Sequence, residues 1–200
     1  IKYPCYATSG TPADSAILGL ETLIGKVDLV ISGINNGSNF GDDVVFSGTI
    51  GAALQGYVRK IPSIALSIAS LTPDNFEIGA KVATLIAEVF ESKIYDDISL
   101  LNINLPNKKL SEIKGITQAN LADRVYSDSI NVEDFRTQRF HWVTRTRPDW
   151  DETENTDVWA VRNDLISITP MTSNLSIEKN PENLSSLLDY LSLHLGIPKK

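Results

Sequence analysis

Short apolar runs alternate with segments of helical periodicity along the first half of this 200-residue chain. Strands are predicted at 1–7, 27–32, 62–68 and 98–105, and helices at 12–23, 48–59 and 74–92. The run at 27–32 is mostly apolar, contains the β-branched residues Val27, Val30 and Ile31, and is too short for a helix, which is typical of a strand buried on both faces. Alternating β and α elements favour a parallel sheet with helices on both faces. The sequence therefore predicts an α/β fold.

The pattern changes after residue 110, where charged, aromatic and turn residues become more frequent. Residues 113–118, 138–145 and 163–170 are predicted to be strands of a protruding antiparallel part, and 147–156 an acidic loop. A last helix is predicted from Asn180-Pro181-Glu182 to Leu195. We accordingly divide the chain into a core at 1–110, an antiparallel arm at 111–172 and a C-terminal helix at 173–200.

A loop rich in glycine, asparagine and aspartate follows the predicted strand at 27–32. It runs from Gly33 to Phe46 and contains three glycines, which allow positive φ angles and close approach of the backbone. Ser47 is a typical N-cap for the helix that comes next. In open α/β sheets, ligands bind outside the carboxyl ends of the strands, where a helix N-terminus attracts anions. The loop is therefore the first candidate for a ligand site.

Each polar residue around this loop has a structural and a functional interpretation. Asn35 either fills a turn position or offers an oxygen to a divalent cation or a donor to phosphate. The pair Asp42-Asp43 either caps the turn before a helix or takes part in metal or acid–base chemistry. The hydroxyls of Ser47 and Thr49 are either ordinary helix caps or phosphate contacts. The residue types alone leave these alternatives open.

The composition excludes several other kinds of protein. The formal net charge of −7 argues against DNA or RNA binding, which requires a basic surface. The single cysteine, Cys5, excludes an internal disulfide framework and a cysteine-rich zinc site. No apolar run reaches the length of about 18 residues that a membrane span needs. We therefore expect no membrane association, and a cytoplasmic location.

Several short motifs follow one another in a distinctive order. The central string is Ser32-Gly33-Ile34-Asn35, followed by Gly37, Asn39, Gly41-Asp42-Asp43 and Ser47-Gly48-Thr49. The run Gly10-Thr11-Pro12-Ala13-Asp14 lies upstream, and supporting matches lie at 101–106, 113–116, 156–157 and 167–170. Together these motifs resemble the SurE family (survival protein E), which consists of metal-dependent nucleotidases. The resemblance extends over nearly the whole chain.

The resemblance implies a Rossmann-like three-layer fold with a protruding β-hairpin arm and a C-terminal helix. It also implies a phosphomonoesterase that hydrolyses nucleoside 5′- and 3′-monophosphates with one Mg²⁺ or Mn²⁺ ion. Asn35 matches the asparagine that ligates the metal. The residues implied to contact the substrate phosphate are Asn35, Asn39, Ser47, Gly48 and Thr49.

Family members form homodimers or homotetramers, which implies subunit contacts through the arm at 111–172 and the C-terminus. Aromatic side chains are frequent in the arm and have no obvious domain core of their own. They are Tyr126, Phe135, Phe140, Trp142, Trp150 and Trp159. We expect them either to pack against another subunit, where aromatic residues are enriched, or to fold back on their own sheet.

The sequence departs from the family pattern at the acidic half of the site. The family begins with a strand that ends in Asn-Asp-Asp-Gly, whose aspartates bind the metal, and this motif does not occur here. Asp42-Asp43 matches a different family position and does not replace that pair. We therefore expect the catalytic aspartates to lie outside these 200 residues and this segment alone to be inactive. A sheet edge would then be exposed.

Two other functions stay open beside the nucleotidase. The chain is alternatively a catalytically incomplete module for assembly or binding, whose loop at 33–46 serves structure alone. The other alternative is an unrelated nucleotide-binding enzyme. It is disfavoured because neither a GxGxxG string nor a P-loop string is present.

Overall fold

The computed structural model describes most of the chain. The described residues are 3–73, 76–95, 97, 99–125, 129–135, 138–144, 149–150, 152–176 and 184–198. The predicted first residues of the last helix, 180–183, lie outside this set. Within it, no helix combines the length and the apolar character needed to cross a membrane.

A five-stranded sheet forms the centre of the fold. Its strands are β1 (Val30–Asn36), β2 (Ser63–Ile68), β3 (Leu100–Leu105), β4 (Gly115–Gln118) and β9 (Leu165–Met171), in the order β1-β2-β3-β9-β4. β1, β2 and β3 are parallel to one another. β9 is antiparallel to β3 and parallel to β4. The predicted α/β fold is thus confirmed, with a sheet that is mixed and mostly parallel.

Helices cover both faces of this sheet. The α-helices of the described residues are α1 (Pro12–Leu18), α2 (Gly48–Tyr57), α3 (Glu77–Glu91), α4 (Asp157–Arg162) and α5 (Leu184–Leu195), and α2 and α3 pack on the sheet. On β2, the alternate residues Ile64 and Leu66 join the apolar cluster that contains Ile78 of α3. Ala65, between them, joins the cluster of Ile50 in α2. Because successive strand residues point to opposite faces, α3 and α2 lie on opposite sides of the sheet, as in a Rossmann-like three-layer fold.

The helix predicted at 12–23 is confirmed, and it has an irregular second half. α1 begins with a capping box between Thr11 and Asp14 and has Pro12 in its first turn. A π-helix at Gly19–Leu23 continues it. Gly25, at φ +86°, follows the end of the helix, where a positive φ angle suits glycine.

Two strand predictions near the N-terminus need correction. Residues 3–7, predicted as part of a strand, pair with no other described strand, and a short apolar run forms a strand only where a neighbouring strand pairs with it. β1 begins at Val30 rather than Val27 and continues to Asn36. The residues 33–36, expected in a loop, remain in the strand because Asn35 and Asn36 pair with β2.

The arm is smaller than the strand pattern predicted. β6 (Ser129–Phe135) and β7 (Gln138–Thr144) form an antiparallel hairpin, and β5 (Arg124–Val125) pairs with β8 (Asp149–Trp150). The strands predicted at 113–118 and 163–170 belong instead to the central sheet, as β4 and β9. Local sequence indicates a strand but not its partner, which explains the error. The three-part division at residues 110 and 172 stays a prediction.

Candidate active site

Asn35 lies at the carboxyl end of β1, beyond an irregularity in the strand. The register between β1 and β2 shifts between Ser32 and Asn35. Gly33 makes this irregularity possible: its φ is +136°, and a Cβ at this position would clash with the carbonyl oxygen of Leu66. The Asn35 Nδ2 donates to the carbonyl of Gly37 at 2.9 Å. The Asn35 Oδ1 has no hydrogen-bond partner among the described residues and is therefore the side-chain atom available to a ligand.

The N-terminus of α2 lies at the same edge of the sheet. Ser47 caps it, with its Oγ accepting a hydrogen bond from the N–H of Ile50 at 3.2 Å. At the other end of α2, Gly56 is packed against Val30 and Ser63, the first residues of β1 and β2. α2 therefore runs antiparallel to these strands, and its first residues approach their carboxyl ends. This arrangement brings the start of α2 to the edge that carries Asn35.

Gly48 and Thr49 complete the first turn of α2. Gly48 is exposed and Thr49 half-buried. A Cβ at Gly48 would lie 3.1 Å from Cγ of Pro12, so the N-terminus of α1 borders this turn. The first N–H groups of a helix have no partner within the helix, which makes this turn a candidate anion site.

Asn39 anchors the loop between β1 and α2 to the sheet. It is only 6% exposed. Its backbone N–H donates to Asn104 Oδ1 at 2.8 Å, and its Nδ2 donates to Ser67 Oγ at 2.6 Å. Its carbonyl accepts hydrogen bonds from the Nδ2 atoms of Asn102 and Asn104. These contacts give Asn39 a structural role, while the predicted contact with phosphate is untested and stays a prediction.

A second anchor holds the loop two residues later. The N–H of Gly41 donates to Oδ2 of Asp157 at 2.9 Å. The other carboxylate oxygen, Oδ1, accepts from the N–H groups of Ala122 at 3.1 Å and Val158 at 2.9 Å. Burial raises the pKa of the Asp157 carboxyl above its ordinary value, and the three N–H groups partly oppose that shift.

The acidic pair of the loop lies in a 3₁₀ helix, Gly41–Phe46, with Asp42 exposed and Asp43 half-buried. The described residues contain no group of three or more His, Cys, Asp or Glu side chains that could hold a metal ion. Mg²⁺ normally takes at least one carboxylate ligand, whereas Asn35 offers one neutral oxygen. The described residues therefore do not form a complete metal site by themselves.

The buried residues that hold the loop were not identified from sequence. Asn102 and Asn104 alternate with apolar residues in the strand Leu100–Leu105. This alternation was the sequence signal that one face of the strand carries polar side chains. Thr156-Asp157 before an apolar run was a helix-start signal, and Thr156 does cap α4. No local signal indicated that Asp157 would reach Gly41.

Comparison with known proteins identifies a matching family and similar relatives. The family model described as survival protein SurE matches residues 2–128. The 5′-nucleotidase SurE of Dehalococcoides mccartyi strain CBDB1 is 40% identical over 173 residues, covering 85% of this chain and 65% of that protein. The 5′-nucleotidase SurE of Haemophilus influenzae strain Rd is 36% identical, with 92% of this chain and 74% of that protein covered.

A solved structure shows the same fold. The crystal structure of the SurE protein from Aquifex aeolicus superposes with a TM-score of 0.71 at 35% identity. The match covers 92% of this chain and 74% of that one. The chain spans about two thirds of the length of the first curated relatives that it matches. On the family match and these identities, the chain belongs to the SurE family.

Proposed function

We propose that the full-length protein is a 5′-nucleotidase, a phosphomonoesterase that also accepts 3′-monophosphates. Relatives that cover most of this chain carry the name 5′-nucleotidase SurE. The structural observation that carries the proposal is the position of Asn35 and the N-terminus of α2 at one edge of the sheet. A phosphate group between them would meet an amide side chain and a helix N-terminus together.

The first turn of α2 has the groups that a phosphate monoester needs. The N–H groups of Gly48 and Thr49 precede the first hydrogen bond within the helix, and the helix dipole favours negative charge at this end. The Ser47 Oγ accepts from Ile50, so its own proton remains available for donation to a phosphate oxygen. Such local donors are necessary because the protein itself carries a net charge of −7.

Dependence on one divalent cation, Mg²⁺ or Mn²⁺, is a further part of the proposal. The bond from Asn35 Nδ2 to the Gly37 carbonyl fixes the amide, and Oδ1 is then available as a neutral oxygen ligand for a hard cation. Such an ion would offset the charge of the phosphate group. The remaining ligands would have to come from residues other than the described ones, so no catalytic step is assigned to the ion.

Hydrolysis of a panel of substrates by the full-length protein tests the proposal. Release of phosphate from nucleoside 5′- and 3′-monophosphates is compared with release from p-nitrophenyl phosphate, with and without a chelator. We expect preference for the nucleotides and loss of activity on chelation. Equal rates with both substrate classes, or rates that the chelator leaves unchanged, would contradict it.

The alternative function is a binding or assembly module without catalysis. It is favoured by one observation, the lack of an acidic cluster among the described residues. Isothermal titration calorimetry with a nucleoside monophosphate separates the two functions, since the module would bind the nucleotide without releasing phosphate.

We also propose that the full-length protein is a homodimer or homotetramer. α5 has no buried residue, and its large apolar side chains are exposed. In the hairpin, Phe140 stacks on Trp142 with ring centroids 6.2 Å apart, and Trp142 is 55% exposed. Trp159 lies in α4, outside the β6–β7 hairpin, and is half-buried. Tyr126 and the side chains of Phe135 and Trp150 lie outside the described structure.

The cytoplasmic location stays a prediction.

A further inference from the structure

Asp157 is a fully buried carboxylate that joins three separate segments of the chain. One oxygen accepts from the N–H of Gly41, in the loop after β1. The other accepts from Ala122, just before β5, and from Val158 in the first turn of α4. One side chain therefore satisfies three buried backbone donors, two of which lie far from it in sequence.

The bond to Gly41 lies where the loop turns toward the candidate phosphate site. Gly41 has a φ of +45° and begins the 3₁₀ helix that leads directly to Ser47. Its neighbour Phe40 packs in an apolar cluster with Ala122 and Val158, next to the carboxylate. A polar and an apolar contact thus fix the same point of the loop.

The burial of this carboxylate is not explained by stability alone. Desolvation raises the pKa of Asp157, which means that the folded protein disfavours its charged form. The helix cap at this position is already supplied by Thr156, whose Oγ1 accepts from the N–H of Trp159 at 3.2 Å. Asp157 makes two bonds outside α4, to Ala122 and to Gly41, and the bond to Gly41 is the one that reaches the loop before α2.

We propose that Asp157 is a positioning residue, which acts through Gly41 to hold the N-terminus of α2 in its phosphate-binding position. This inference rests on the proposed function. Asn39 holds the loop on one side of this point through Asn104 and Ser67, and Asp157 holds it on the other. Loss of the second anchor removes the polar contact at this point, so the 3₁₀ helix and Ser47 are held less firmly relative to Asn35.

The variant Asp157→Asn breaks this anchor selectively. Asparagine has one acceptor oxygen, and the orientation that keeps the bonds to Ala122 and Val158 turns its NH₂ group toward the N–H of Gly41. The bond to the loop is then lost, since two donors face each other. Thr156→Ala is the matched control, because it removes a hydrogen bond from the same helix without touching Gly41.

The experiment compares these variants in the full-length protein, with inorganic phosphate as the probe. For Asp157→Asn we expect at least tenfold weaker phosphate binding by calorimetry, a similar fall in kcat/KM for a nucleoside monophosphate, and faster amide exchange at residues 41–47. For Thr156→Ala we expect phosphate affinity within twofold of wild type and unchanged exchange at 41–47.

Unchanged phosphate affinity and unchanged exchange in Asp157→Asn would overturn the inference, as would equal effects in Thr156→Ala. If Asp157→Asn does not fold, the hydrogen-exchange rate of the Gly41 amide in the wild type tests the inference. A rate as fast as that of an exposed loop amide contradicts the anchor. A protected amide supports it. A wild type without nucleotidase activity would overturn the proposed function instead, while phosphate binding and exchange would still test the anchor.

Discussion

The N–H of Gly41 donates to Oδ2 of Asp157 at 2.9 Å, although the two residues lie 116 positions apart in sequence. This bond joins the loop after β1 to the start of α4. Both residues are buried, so the bond is shielded from water and its loss leaves a polar group without a partner. The loop that leads to the N-terminus of α2 is therefore attached to a distant part of the chain.

Replacement of Ser47 by alanine should lower the free energy of unfolding and should also weaken phosphate binding. Loss of the cap bond to Ile50 costs about 1 kcal/mol of unfolding free energy. Separately, loss of a hydrogen bond to a charged phosphate weakens the free energy of phosphate binding by ~1.4 kcal/mol, which is about tenfold in affinity. Thr156→Ala removes a cap of the same 3.2 Å geometry from α4 and serves as control. Equal phosphate inhibition constants in the two variants would contradict a role for Ser47 in binding.

Replacement of Gly33 by alanine should destabilise the protein strongly. The φ of +136° is unfavourable for alanine, and the new Cβ would clash with the carbonyl oxygen of Leu66. We expect a loss of about 2 kcal/mol or more, measured by urea unfolding. Gly51→Ala is the control, because nothing lies within 4 Å of its Cβ and the helix should gain about 1 kcal/mol. Similar unfolding midpoints for both variants would show that β1 does not need glycine at 33.

The stability contributed by Asp164 should disappear in acid. Hydrogen bonds from Lys108 at 2.7 Å and Lys114 at 3.0 Å lower the pKa of the Asp164 carboxyl. A carboxyl whose pKa is lower in the folded state stabilises the protein above its unfolded pKa, and this contribution is lost as the pH falls through the folded pKa. Asp164→Asn should therefore be less stable than wild type at about pH 7, with a difference that shrinks below about pH 4.

Urea midpoints of wild type and Asp164→Asn across this pH range measure that difference. Because both lysines are largely exposed, the effect should be small and should decrease with added salt. A difference that grows toward acid pH would contradict the assignment of these ion pairs.

The exposed apolar face of α5 should contribute to oligomer formation. Leu188 and Leu191 are each 43% exposed and lie on one stripe of the helix. We expect light scattering to show a dimer or tetramer for the full-length protein, and a smaller species for Leu191→Glu. Ser186→Glu adds the same charge elsewhere on α5 and should leave the mass unchanged. A monomeric wild type would contradict the proposed assembly.

The features that the sequence predicted well are those that local interactions determine. Ser47 caps α2, and the helices predicted at 12–23 and 74–92 are present as α1 with its π-helical continuation and as α3, since caps and helical periodicity involve residues within one or two turns. The alternation of strands and helices then predicted the parallel arrangement of β1 to β3. The same local signals predicted a ligand site after this strand, at the edge of the sheet where Asn35 and the start of α2 lie in the structure.

The features that were missed depend on contacts between distant segments. Two strands of the five-stranded sheet, β4 and β9, were assigned to the arm because local sequence does not indicate their partners. α4 was missed because six residues give little periodic signal, and with it the position of Asp157. The role of Asn39 as an anchor depends on Asn104, which lies 65 positions away. Whether Asn35, Ser47, Gly48 and Thr49 contact phosphate stays a prediction.

The metal dependence of Asn35→Ala tests the central claim most directly. Phosphate release from a nucleoside 5′-monophosphate is measured for the full-length protein over a titration of Mn²⁺. Asn36→Ala, the exposed neighbour on β1, is the control. If Asn35 ligates the ion, its alanine variant should lose more than tenfold in activity and need more Mn²⁺ for half-maximal rate, while Asn36→Ala behaves as wild type. Wild-type activity and an unchanged Mn²⁺ requirement in Asn35→Ala would contradict the account.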